Sequence, residues 1–236
     1  MRIGILQTGH APEELIAEFG DYGEMFARML AGRGFDFEIF GVVDGHLPPS
    51  TGVADGWLVT GSRHATYEDH PWIPPLEALL RTAFAAGQPI AGICFGHQIL
   101  AQALGGRVEK FAGGWAVGAT EYRIGSKTLT LNAWHQDQVV ERPEGARVLA
   151  SAPGCENAIL AYGDTALSFQ PHPEFEAGFL RGLIEGRGRG VVPETLLARA
   201  RARLDMATDR APATEMIAGL FERARSRCAP PREKTA

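Results

Sequence analysis

The chain has 236 residues, enough for one large domain or a domain with an appendage. Apolar residues are 45% and charged residues 22%, which excludes a disordered or collagen-like chain and leaves an ordinary globular protein. The net charge of −5 argues against a nucleic-acid binder.

Taken in chain order, residues 2–7 (RIGILQ) predict a short buried strand, and residues 13–31 carry helical spacing that stops at Gly32 and Gly34. Residues 35–43 predict a second strand, and the apolar run Gly56 to Thr60 a third. Residues 75–86 predict a helix, Pro89–Ile93 a strand, and Gly96–Leu104 a helix ended by Gly105-Gly106. Strands alternating with helices imply a parallel sheet covered on both faces. Residues 82–106 hold no Asp, Glu, Lys or Arg, long enough for a membrane span. Gln88, Pro89, His97, Gln98 and Gln102 interrupt that run, so a buried strand leading into a helix is expected and no membrane contact.

Beyond residue 107 strand-like runs follow one another: 107–111, 116–124, 127–133, 146–151, 157–162 and 165–170. They predict antiparallel hairpins added to the parallel core, followed by a helix at about 175–185. Residues 186–236 then hold eleven Lys and Arg against six Asp and Glu. Leu197, Ala200 and Leu204 share one helical face, as do Met216, Ile217, Leu220, Phe221 and Ala224. Two amphipathic helices with a solvated basic outer face are expected. The three cysteines, Cys94, Cys155 and Cys228, show no CxxC pairing and no metal spacing. The start MRIGILQTG has no signal-peptide character, so a reduced, cytoplasmic protein is expected.

The sharpest chemical signal is Gly92-Ile93-Cys94-Phe95-Gly96-His97-Gln98, placed where a strand ends and a helix begins. In a G-x-C-x-G turn the glycines leave room for a tight bend and the nucleophile stands at its tip. The positive end of the following helix favours thiolate over thiol. The Phe95 N–H is placed for a developing oxyanion. Read alone, this cysteine is as readily a structural one between packing glycines. A cysteine nucleophile needs a histidine, and the histidine an orienting group. Gln170-Pro171-His172-Pro173-Glu174 supplies both, although by itself it also reads as a polar turn with a capping Glu.

Together the two segments, 78 residues apart between Cys94 and His172, resemble the triad-type class I glutamine amidotransferase family. Thr60-Gly61-Ser62-Arg63-His64-Ala65-Thr66-Tyr67 resembles that family's oxyanion loop, with Gly-Ser-Arg in place of the usual Gly-Gly-Pro. Asn132-Ala133-Trp134-His135-Gln136-Asp137-Gln138-Val139 resembles its substrate-side loop. The resemblance covers roughly residues 1–180 and looks most like the free-standing members, some of which cleave γ-glutamyl peptides. It implies a flavodoxin-like three-layer α/β sandwich with a mixed, mainly parallel sheet, over residues 1–185, with a helical extension over 186–236.

The activity it implies is hydrolysis of the γ-amide of glutamine, or of a γ-glutamyl conjugate, through a Cys94 thioester. His172 would serve as acid and base and Glu174 would orient it. Backbone N–H groups of Phe95 and of Gly61 or Ser62 would hold the oxyanion. Gln98, Trp134, His135 and Gln136 would meet the substrate. No metal or organic cofactor is implied. The partners expected are the small-molecule substrate and, in trans, a synthetase or acceptor subunit or a second copy of the chain. Two other classes stay open. A non-catalytic binding protein on this fold would have lost Cys94, His172 or Glu174, and a cysteine peptidase on a similar fold would need neither Gln98 nor the His-Pro-Glu segment. Asp69-His70 and His64 read as a solvated loop, Trp72 as a packing anchor, and Cys155 as structural.

Overall fold

The computed structural model describes residues 1–228. Its strands are β1 (Arg2–Gln7), β2 (Asp36–Gly41), β3 (Gly56–Val59), β4 (Ile90–Ile93), β5 (Arg107–Lys110), β6 (Ala116–Ile124), β7 (Lys127–His135), β8 (Asp137–Glu141), β9 (Ala146–Ala152), β10 (Cys155–Tyr162) and β11 (Ala166–Phe169). Its helices are α1 (Glu13–Phe19), α2 (Tyr22–Met29), α3 (Ile73–Ala85), α4 (Phe95–Ala103), α5 (Ala177–Glu185), α6 (Glu194–Ala202) and α7 (Arg210–Cys228).

Nine strands form one sheet in the order β2-β1-β3-β4-β11-β10-β9-β6-β7. The first five are parallel neighbours, and from β10 onward the pairing is antiparallel. Strand alternation sorts the apolar residues onto two faces. Ile3, Ile5, Leu58 and Ile93 pack with Phe26 of α2 and with Ala213, Ile217 and Phe221 of α7. Leu6, Trp57, Val59 and Ile90 pack on the other face with Leu76 and Leu80 of α3 and Ile99 and Leu100 of α4. This is the expected flavodoxin-like sandwich. The stripe on α7 does not cover a separate core; it completes one face of the main sheet. Among the described residues no helix is long and apolar enough to cross a membrane.

Two expectations need correction. The helix over 13–31 is two helices: Gly20 takes a left-handed φ of 76° and ends α1, and Asp21 starts α2. Asp21 and Glu24 cap each other's backbone, a reciprocal pair that fixes the new helix start. The expected loop over 132–139 is mostly strand. Residues up to His135 belong to β7, where His135 lies opposite Ala116, and Asp137–Glu141 form β8. β8 pairs with β5 in a small second sheet, so only Gln136 lies between the strands.

Candidate active site

The parallel strands β3, β4 and β11 end side by side, and the candidate site stands on those ends, where open α/β sheets hold their ligands. Cys94 follows β4 directly and precedes the first residue of α4. Its φ of 53° makes it the one non-glycine residue of positive φ among the described residues. Such a conformation costs about 1–3 kcal/mol and persists only where the surroundings impose it. Here they do. A Cβ on Gly92 would collide with the Gly96 carbonyl, and one on Gly96 would collide with the Val59 carbonyl. The Cys94 N–H donates to the Phe169 carbonyl at 2.7 Å, and the Gly96 N–H to the Thr60 carbonyl at 3.1 Å. The side chain is thereby turned off the sheet at the helix N-terminus.

The loop after β3 is held equally firmly. The Thr8 hydroxyl donates to the Thr60 carbonyl at 3.0 Å, and the Thr60 hydroxyl donates to the Gly61 carbonyl at 3.0 Å. Gly61 approaches the other two segments closely: a Cβ there would stand 3.1 Å from His172 Cε1 and 3.7 Å from Cys94 Cβ. A side chain at this position would intrude between nucleophile and histidine. The main chain at Gly61 and the N–H of Phe95, at the start of α4, thus flank the sulfur.

His172 is placed by β7. Its N–H donates to the Asn132 carbonyl at 2.8 Å, and the Asn132 amide donates to the Phe175 carbonyl at 3.0 Å. The ring stacks on Phe175, 3.9 Å between centroids and 5° from parallel. Its Nδ1 lies 2.7 Å from Glu174 Oε1, and both side chains are buried. The other ring nitrogen, Nε2, is buried without a hydrogen-bond partner. Burial disfavours the imidazolium, but the Glu174 carboxylate and the neighbouring Cys94 outweigh it and raise His172 to about 10.

Cys94 and His172 line one cavity of about 470 Å³. Ser62, Gln98, Trp134, His135 and Gln136 line it too, so these sequence-predicted residues are gathered on one space. Glu174 sits behind the histidine rather than in the cavity. Gln98 has less to offer a ligand than expected. Its Nε2 donates to the Asp137 carbonyl at 2.7 Å and to Gln170 Oε1 at 3.1 Å. Trp134 is half-buried: its ring meets Trp115 edge-on at 6.3 Å and packs among Leu183, Val192 and Leu197 while still facing the cavity. Burial lowers His135 to about 3, with His172 adding to the effect, so its ring stays neutral.

Five contributors were missed by sequence reasoning. Gln170 donates from Nε2 to Cys94 Sγ at 3.7 Å, linking the sulfur to Gln98. It does so because β11 runs beside β4, with Phe169 opposite Ile93. Arg210 of α7 donates to the carbonyls of Pro173 at 2.8 Å and Glu174 at 3.4 Å, clamping the histidine loop from the basic tail. Arg187 and Val191, also beyond residue 185, line the cavity with Trp115. None of these carries a local motif; the signal for each is tertiary. Cys155 is buried and does not line the cavity, and burial, with Cys94 adding to it, pushes its thiol up to about 12.

A strained cysteine at a strand-to-helix turn, beside a buried histidine–carboxylate pair on a doubly covered parallel sheet, defines a cysteine-dependent hydrolase of the amidotransferase type. The chain belongs to the class I glutamine amidotransferase family, whose model, "Glutamine amidotransferase class-I", matches residues 15–181. It is 28% identical over 198 residues to "Gamma-glutamyl peptidase 2" of Arabidopsis thaliana, covering 78% of this chain and 80% of that protein. It is 30% identical over 183 residues to "Gamma-glutamyl peptidase 5" of the same plant, covering 71% of this chain and 73% of the relative. Among solved structures, a glutamine amidotransferase from Methylobacillus flagellatus superposes with a TM-score of 0.75 at 22% identity, over 94% of both chains.

Proposed function

We propose that this chain acts alone as a γ-glutamyl hydrolase with Cys94, His172 and Glu174 as its catalytic triad. The observation that carries the reading is Cys94 at the strained tip of its turn, lining the same cavity as His172, whose buried Nε2 has no hydrogen-bond partner. The Cys94 thiolate attacks the γ-carbonyl carbon. The oxyanion is met by the N–H groups of Phe95 and of Gly61 or Ser62. The tetrahedral adduct collapses as His172 gives its Nε2 proton to the departing amine, leaving a γ-glutamyl thioester. Neutral His172 then takes a proton from water, which attacks the thioester and releases glutamate and the Cys94 thiolate. Glu174 holds the ring through Nδ1 in both halves and offsets the imidazolium charge. No step in this scheme calls on a metal or organic cofactor.

The cavity favours a conjugate over free glutamine. It is larger than glutamine alone requires, and one wall is Trp115, Trp134 and Val191. Such a wall is mostly apolar ring face and packs well on the amine side of a larger substrate. Residues 1–185 make the amidotransferase domain in this reading. The extension 186–236 contributes the Arg210 clamp and the Arg187–Val192 side of the cavity; residues 229–236 lie outside the described range. A reducing compartment, the cytoplasm, suits a free Cys94.

The purified chain should release glutamate and the amine from γ-glutamyl peptides or γ-glutamylamines with no second protein present. Turnover only upon addition of a synthetase subunit would overturn the free-standing reading in favour of an ammonia donor. Replacing Trp134 with Ser should lower kcat/KM for conjugates about tenfold while sparing glutamine, since one buried packing or hydrogen-bonding contact is worth ~1–3 kcal/mol. Steady-state kinetics on both substrates checks this; a wild type that prefers glutamine, with ratios unaltered by the substitution, contradicts it. Arg210→Ala should lower kcat about three- to tenfold with little change in KM, because it loosens His172 without touching the cavity. Equal losses in KM alone would assign Arg210 to binding instead.

A further inference from the structure

Between β3 and α3, the chain gathers three side chains that the mechanism does not use. His64 Nδ1 lies 3.1 Å from Glu68 Oε2, and His70 Nε2 lies 2.7 Å from the same oxygen. These three atoms all fall within 4.8 Å of one another. The sequence had shown only two histidines in a solvated loop; the carboxylate between them comes from the turn at residues 65–69. We propose that His64, Glu68 and His70 form a binding site for a divalent transition-metal ion of the zinc class, on the rim of the Cys94 cavity.

The donor set is two imidazole nitrogens and one carboxylate oxygen, a combination that suits Zn²⁺ and its neighbours rather than Mg²⁺ or Ca²⁺, which prefer all-oxygen shells. At zinc–ligand bonds of ~2.0–2.1 Å, tetrahedral ligand atoms stand about 3.3 Å apart. The two contacts to Glu68 need to open by about 0.2 and 0.6 Å to admit the ion. Each ring that donates to Glu68 shifts its proton to its other nitrogen, so the metal replaces two hydrogen bonds without leaving an orphan. The rings are already oriented. His70 stacks on the buried Trp72 at 5.5 Å and 11° from parallel, and His64 meets His70 edge-on at 4.2 Å. Trp72 in turn packs on Phe95, the residue after Cys94.

An open coordination position remains, because the Glu68 side chain is 44% exposed. Both His64 and Glu68 line the cavity, so that position faces solvent or a bound ligand. Arg63 is the neighbouring cation that opposes binding, and it is exposed and free to swing away. The His64 N–H donates to Ser62 Oγ at 3.1 Å, so an ion here braces the oxyanion loop.

The site is tested by titrating Zn²⁺ into full-length Cys94→Ala/Cys228→Ser protein, which retains only the buried Cys155 thiol. One equivalent should bind, and His64→Ala or His70→Ala should each weaken it at least ~10-fold. Because His70 stacks on Trp72, binding should also alter tryptophan fluorescence, a change that Trp72→Phe should remove while leaving the stoichiometry intact. Zn²⁺ should raise the melting temperature of the parent and not of the histidine variants. No bound equivalent in the parent, or an affinity unaltered by both histidine substitutions, overturns the proposal. If the histidine variants fail to fold, a fluorescence change that survives Trp72→Phe overturns it instead. None of these readouts depends on hydrolysis, so the metal site and the hydrolase reading stand or fall separately.

Discussion

Replacing Cys94 with Ala should reduce hydrolysis of every γ-glutamyl substrate by roughly 10⁴-fold or more, the usual scale for removing a covalent nucleophile. The fold should survive, because the bonds that shape the turn are main-chain ones from Cys94 N to Phe169 O and from Gly96 N to Thr60 O. Cys155→Ala serves as the control. It removes an equally buried thiol and should cost only ~1 kcal/mol of stability, with turnover retained. A third variant separates strain from chemistry. Glycine accepts a φ of 53° freely, so Cys94→Gly should be more stable than Cys94→Ala by ~1 kcal/mol, visible as a higher denaturation midpoint. Residual activity in Cys94→Ala within tenfold of wild type would remove the thioester from the mechanism. Equal midpoints for the Ala and Gly variants would show that the turn stores no strain.

What could be read before the structure divides along physical lines. Local chemistry was legible. The glycines at 92 and 96 are required by backbone crowding that any strand-to-helix turn of this kind creates, so the pattern speaks for itself in sequence. The alternation of strands and helices up to residue 106 also followed from apolar periodicity, because buried parallel strands are short and uniformly apolar. The break of the first helix was not visible because its apolar spacing runs on through Gly20-Asp21; the capping pair of Asp21 and Glu24 outweighs that continuity. β8 was hidden for a related reason. Gln136-Asp137-Gln138 reads as polar loop, yet Asp137 and Gln138 pair with Lys110 and Glu109 of a strand nearly thirty residues earlier.

The tail teaches the same lesson from the other side. Its amphipathic stripes were plain, but a helical stripe says only that a face is covered. That Ile217 and Phe221 sit on Ile3, Ile5 and Leu58, and that Arg210 reaches the Pro173 carbonyl, depends on where α7 lands. Gln170 and Arg187 fall under the same rule. Residues that act on a distant segment leave no motif. They are found by asking which donors surround a buried sulfur or carbonyl.

Glu174→Gln should be the second most damaging single change, lowering kcat about 10²- to 10⁴-fold, as loss of the histidine-orienting charge does in other triads. The pH dependence is the sharper test. In the wild type His172 is raised to about 10 against the pull of burial, and Glu174 leads the charges that raise it. The imidazolium that must protonate the departing amine therefore persists through neutral pH, and kcat/KM should fall on the alkaline side only near pH 10. Gln keeps the shape but not the charge. Only Cys94 then opposes burial, and the alkaline fall should move down from there toward the ordinary histidine range near ~6.5. Stability follows the same linkage. A folded-state value above the unfolded one adds stability that is full below ~6.5 and is lost as pH climbs from there toward 10. The stability gap between wild type and Glu174→Gln should thus be wide at pH 6 and narrow by pH 10, measured by denaturant unfolding across that range. A gap that stays constant, or an alkaline limb that does not move, would mean that Glu174 only holds the ring in place and that its charge does not set the proton on His172.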